Sequence, residues 1–327
     1  MTAAFRCSAK SEELAEPMEG TASTVRAFLL VEAPGPWGLD AVRDSRLPGP
    51  VKGWLSELAS SHRVRPLLIR RHRRPGRAGA ARPAGPASPA GPASPAGPAH
   101  SAGDAVGAST TRVFAAYVHG EQPLLETTTL GDVRDLLELD PTGLGEGRSA
   151  GLTPHDEPLF LVCTHGRHDA CCAERGRPLA GALSEAAPEH TWEVSHIGGD
   201  RYAANLLVLP HGLYYGRLSP GDAAGFVESH LAGRLDLEHL RGRSSYPFSV
   251  QAAEIYLRRH LGRAEIASPL LEEHNRHGTE TEAIFNVDGL RWRVRVHTDL
   301  GEPRQLTCRA TAPSTGFSHR LIGVAEV

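Results

Sequence analysis

FLVCTHGRHDACCAERGRPLAGAL, residues 160–183, begins as a fully apolar run, turns polar after Cys163, and resumes as an Ala-rich amphipathic stretch. The pattern predicts a buried strand, a loop and a helix, with Cys163, Cys171 and Cys172 crowded into the junctions. Working outward, PLFLVCTH (158–165) is the strand and RPLAGALSEAA (177–187) the helix. TWEVSHI (191–197) follows as a second strand. NLLVLP and LYYGRL then form a hairpin across His211-Gly212. Ser219 as N-cap, Pro220 at the first helical position and Asp222 in the first turn open the helix AAGFVESHLAG.

The order β-α-β-β-β-α fits a small α/β sandwich, thioredoxin-like in outline. Upstream, RAFLLVEA (26–33), VKGWLSEL (51–58) and VRPLLIRR (64–71) repeat the strand–helix–strand rhythm. TRVFAAYV (111–118) reads as a further strand and TLGDVRDLLEL (129–139) as a helix. The fold class expected is therefore α/β, with two tandem thioredoxin-like α/β domains and a C-terminal α+β extension. RPAGPASPAGPASPAGPA (82–99) has no large side chain to bury, so 75–108 is expected to be a disordered Pro/Ala/Gly insertion within an N-terminal domain spanning 20–140. PTGLGEGRSAGLTPH (141–155) separates it from a second domain over 155–240. Residues 241–327 form the extension, with a helix at 249–262 and strands turning at Asp288-Gly289, and read as packing without a chemical motif.

The 327 residues are 40% apolar and 22% charged, as in globular proteins. A net charge of −3 points away from nucleic acid as a partner. Lys10 and Lys52 are the only lysines, so arginine clusters reflect composition more than function. No stretch is apolar for the roughly 20 residues of a membrane helix. MTAAFRCSAKSEEL carries acidic residues where a secretory signal would be apolar, so a cytoplasmic protein is expected. Thiols there stay reduced, and the total of five cysteines argues against a disulfide framework.

Cys163 closes a strand at the sheet edge where α/β proteins gather ligands. Cys171 and Cys172 fall at a helix N-terminus, which favours thiolate. In SHIGGDRYAAN (195–205), the glycine pair lets His196 and Asp200 aim at one site. Two sulfurs, an imidazole and a carboxylate suit zinc or a Rieske-like cluster. Alternatively His196 caps the loop and Asp200 pairs with Arg201 or Arg167. His165 and His168 are expected to be solvated, and Arg167 and Asp169 to hold the cysteine loop. Asn205 and Arg217 either donate toward cluster sulfurs or serve the fold. Trp37 occupies the loop of the first domain that corresponds to the cysteine loop of the second.

VCTHGRHDACCAERGRPLA, WEVSHIGGDRYAANLLVLPHGLYYGRL and EPMEGTASTVRAFLLVEAPGPWGLDA together resemble the sucrase/ferredoxin-like family over most of residues 15–240. The resemblance implies a thioredoxin-like ferredoxin with a [2Fe-2S] cluster held by two cysteines and two histidines, and no sugar hydrolysis. Carried onto this chain, Cys163 and Cys172 are the cysteine ligands, with Cys171 a substitute for either. His196 matches the first histidine of His-x-x-x-His, and Asp200 stands at the second. Asp200 then ligates the cluster, Cys171 replaces it, or the cluster is lost. The function expected is one-electron transfer to a redox partner protein, rather than catalysis. A thiol–disulfide oxidoreductase using Cys163, Cys171 and Cys172, and a degenerate cofactor-free binding module, are the alternatives.

Overall fold

The structure, a computed structural model, describes residues 4–72, 110–120 and 122–327. The expected insertion at 75–108 lies wholly outside the described residues.

After a short helix, α1 (Cys7–Glu13), the chain forms β1 (Ala27–Glu32), α2 (Gly49–Ser61), β2 (Val64–Arg70), β3 (Thr111–Tyr117) and β4 (Leu124–Leu130). The short β5 (Thr153–Pro154) precedes β6 (Leu159–Cys163), α3 (Ala170–Ala186), β7 (Thr191–Val194), β8 (Leu206–Leu209) and β9 (Leu213–Tyr215). Next come α4 (Ala223–Leu231), β10 (Leu240–Arg243) and α5 (Phe248–Leu261), then β11 (Leu270–His277), β12 (Glu280–Val287), β13 (Leu290–Arg304) and β14 (Ser314–Glu326). The described residues contain a mixed ten-stranded sheet, ordered β10-β9-β8-β6-β7-β2-β1-β3-β4-β5, and a four-stranded antiparallel sheet.

One pattern occurs twice in the large sheet. β6 is parallel to β7 and antiparallel to β8, which is antiparallel to β9. In the same way β1 is parallel to β2 and antiparallel to β3, which is antiparallel to β4. The parallel pairs are the ones bridged by a helix, α3 in one case and α2 in the other, as a parallel crossover requires. The two patterns meet where β2 pairs antiparallel with β7 at Ile69–Val194 and Arg70–Glu193.

Side-chain alternation along β6 explains what fixes the cysteine loop. Phe160 and Val162 cluster with Leu179 and Leu183 of α3 and Phe226 of α4. Leu161 and Cys163 point the other way, into a core shared with Phe28, Leu30, Phe114 and Tyr214. Gly176 lets α3 lie directly on β6, because a Cβ there would fall 2.0 Å from the Cys163 carbonyl oxygen. The C-terminal sheet packs Phe285, Val294 and Val296 on Val250, Ala253 and Leu257 of α5.

One expected helix is different. Residues 129–130 belong to β4, whose β-branched Thr127–Thr129 pair with β3, and only Val133–Glu138 coils, as a 3-10 turn. The Asp132 side chain caps that turn reciprocally with Asp135. Among the described residues no helix is long and apolar enough to cross a membrane.

Candidate metal centre

β6 delivers Cys163 and the second residue pair of α3 delivers Cys172; both are buried at 1% exposure. Asp169 caps α3 by accepting from the Cys171 backbone N–H at 2.9 Å, as expected of a loop-holding residue. After β7 the chain turns through Gly198 and Gly199 at φ +100° and +81°, a region glycine enters without penalty. That turn carries His196 and Asp200 back toward the cysteines.

The donor atoms converge. Cys163, Cys172 and His196 each offer one donor within 4.8 Å of the others, and so do His168, His196 and Asp200. The Cys172 thiol donates to Asp200 Oδ1 at 3.2 Å, and His196 Nδ1 lies 3.1 Å from the same oxygen. His168 stacks on His196 with ring centroids 3.6 Å apart, and its Nε2 stands 3.9 Å from Asp200 Oδ2. Asp200 therefore faces His196, Cys172 and His168, while Arg201 binds Glu16 at 2.8 Å.

Electrostatics favour anionic sulfur at Cys163. The adjacent Cys172 thiol and the His196 imidazole, acting against burial, hold Cys163 well below the usual thiol range. Cys172 moves the other way, raised by Cys163, by burial and by Asp200. Burial opposes charge on His196, but Asp200 and Cys163 outweigh it and lift the imidazole to about 9. Burial likewise opposes ionisation of Asp200, and His196 with Cys172 brings it below the ordinary carboxylate value.

The first half of the chain buttresses this loop. Arg65 donates to the His196 carbonyl at 2.9 Å, and Ser195 and Leu68 exchange bonds in both directions. Buried Glu193 accepts from Thr164 at 2.7 Å and from Arg70 at 2.6 Å, tying the cysteine loop to β2. His165 is not solvated: it is 2% exposed, its Nε2 meets the Gly38 carbonyl at 2.6 Å, and its Nδ1 accepts from the His196 N–H. Trp37 packs edge-on against it, with centroids 5.8 Å apart. The surface opening is a cleft of about 780 Å³ lined by His168 and His196 from the second half and by Leu39, Arg43 and Arg65 from the first.

Two further expectations resolve as fold roles. Asn205 donates to the Gly199 carbonyl and accepts from Arg241, and Arg217 donates to Ser11 and Glu16. Arg241 carried no signal in the sequence. It is 1% exposed and bonds Thr21, Gly198 and Asn205, so it pins the loop that presents Asp200. Cys171 is carried away from Cys172 by the helical rotation and joins Cys7 and Cys308 instead.

Whether these side chains fit a metal group turns on His196. Its Nδ1 is buried, has no aligned hydrogen-bond partner among the described residues, and faces a carboxylate and two thiols. A buried imidazole beside two thiols and a carboxylate is a mixed soft and anionic donor set that suits a thiophilic metal, so the residues fit.

The chain belongs to the sucrase/ferredoxin-like family, whose profile matches residues 18–242. Among curated relatives, altered inheritance of mitochondria protein 32 of Debaryomyces hansenii is 32% identical over 95 residues, 26% of this chain and 35% of that protein. The protein of the same name from Clavispora lusitaniae is 33% identical over 102 residues, 28% and 37% of the two chains. The chain thus matches only about a third of the length of these relatives. Among solved structures, a thioredoxin-like [2Fe-2S] ferredoxin from Aquifex aeolicus aligns at 19% identity over 28% of this chain and 97% of its own, with a TM-score of 0.25. Its Cys59Ser variant aligns at 20% over 26% and 97%, with a TM-score of 0.23.

Proposed function

We propose that this protein is a one-electron carrier, with a [2Fe-2S] cluster held by Cys163, Cys172, His196 and Asp200 in the second of two tandem thioredoxin-like units. The observation that carries the reading is the convergence of two buried thiols and an imidazole, with a buried carboxylate in contact with Cys172 and His196, in a ferredoxin-like family member. When bound, such a cluster supplies reversible one-electron chemistry. The chain's own residues set its conditions. Burial of both cysteines excludes water, the thiolate bias at Cys163 favours metal over proton, and Asp200 adds negative charge that disfavours reduction.

His168 and His196 line the cleft, and a redox partner docks there, against residues of both halves. The contact is weak and transient, as electron-transfer encounters are.

Replacing Cys163 or Cys172 with Ser is expected to abolish the visible absorption of the purified protein. Spectra unchanged in both variants would remove these residues as ligands. Colourless wild-type protein in which Cys163 and Cys172 form a reversible disulfide would favour thiol–disulfide exchange instead.

A further inference from the structure

A second group of sulfurs lies outside this centre. Cys7 at the start of α1, Cys171 in the first turn of α3, and Cys308 in the loop between β13 and β14 meet in a triangle with edges of 3.7, 3.4 and 3.5 Å. These residues are 164 and 137 positions apart along the chain, so three remote segments are brought together at their thiols. All three are free cysteines, and one disulfide would leave the third sulfur stranded.

The triangle has the dimensions of a metal site. Sulfurs about 2.3 Å from a tetrahedral zinc ion stand roughly 3.8 Å from one another. Asp169 supplies the fourth corner. Its Oδ1 accepts from the Cys171 N–H at 2.9 Å and its Oδ2 from the Cys308 N–H at 2.7 Å, which fixes the carboxylate. Both oxygens lie 3.7 Å from Cys7 Sγ and retain unused lone pairs. The Cys7 backbone N–H points at Cys308 Sγ from 3.5 Å, the kind of outer contact that steadies a thiolate. Cys7 and Cys171 are buried while Cys308 is half-buried, so the pocket has an entry side.

We propose that Cys7, Cys171, Cys308 and Asp169 bind one zinc ion, which clamps the N-terminal helix and the C-terminal hairpin onto the first turn of α3. Binding releases the thiol protons to solvent and changes no oxidation state. The site is independent of the iron–sulfur reading, because it shares no ligand with Cys163, Cys172, His196 and Asp200.

The test is zinc content of the full chain after loading with Zn²⁺ and dialysis, in wild type, C7S, C308S and the C163S/C172S double variant. One zinc per chain is expected in wild type and in C163S/C172S, with at least tenfold weaker binding in C7S and C308S. Co²⁺ added to C163S/C172S is expected to give sulfur-to-cobalt charge-transfer absorption. Alkylation of wild-type protein, mapped by mass spectrometry, reads the ligands without substitution, and zinc should slow modification of Cys308 at least tenfold. Zinc that follows Cys163 and Cys172, protection confined to those two, or wild type binding no more zinc than C7S would overturn the proposal. So would a disulfide joining two of the three thiols in protein purified under reducing conditions.

Discussion

Asp200 is the residue on which the chemistry of the centre turns. It is 4% exposed, accepts from Cys172 and lies 3.1 Å from His196, and it brings a negative charge that histidine lacks. Replacing it with His removes that charge from the iron it would bind. A redox titration of D200H is expected to show a reduction potential higher by on the order of 100 mV. A potential unchanged from wild type would exclude Asp200 from the coordination shell. This residue was legible in the sequence because its partner His196 is four positions away and the glycines between them announce the turn. Cys7 and Cys308 were not legible as partners of Cys171, since a contact across 164 or 137 residues leaves no local trace.

At the scale of elements, the junction of β6 and α3 sets the distance between Cys163 and Cys172. Gly176→Ala improves intrinsic helix propensity by about 1 kcal/mol, but its Cβ would strike the Cys163 carbonyl. The clash dominates, because backbone cannot yield as a side chain can. Urea denaturation is expected to show a net loss of about 1–3 kcal/mol, together with weakened visible absorption. A variant more stable than wild type would contradict this packing.

Helix α4 makes a separate prediction through His230, whose Nε2 is 2.9 Å from the Tyr215 hydroxyl and whose ring packs on Phe160 and Phe226. Burial, with a smaller push from His211, lowers its imidazole to about 4. The unfolded chain therefore takes up a proton near pH 6.5 while the folded chain does not, and stability is lost as pH falls from 6.5 toward 4. Between pH 7.5 and 5.0 this single histidine accounts for about 2 kcal/mol. The urea stability of H230F should fall less than that of wild type over this interval, by about that amount; parallel losses would show that His230 titrates normally. Strands and helices with strong apolar periodicity, such as β1, β6 and α5, were readable from sequence. β4 was not, because LLETTTL is polar on one face and is followed by the helix-like spacing of VRDLLEL.

For the whole molecule, the sequence suggested two successive α/β units, and the repeated strand pattern is there. What it did not foretell is the β2–β7 pairing that joins the two patterns in one sheet and places the candidate centre at their seam. That pairing depends on Arg70, His72 and Glu193 meeting across the seam, a long-range fit without a motif. The first half, though without cysteines in its equivalent loop, then has a purpose: Arg65, Leu68 and Gly38 hold the loops that carry His165 and His196.

The most direct test of the central claim is iron and acid-labile sulfide analysis of the anaerobically purified protein, with an electron paramagnetic resonance spectrum after reduction. About two irons and two sulfides per chain, with an S = 1/2 signal, are expected for a single [2Fe-2S] centre. Colourless protein that takes up neither iron nor sulfide on reconstitution would contradict the account.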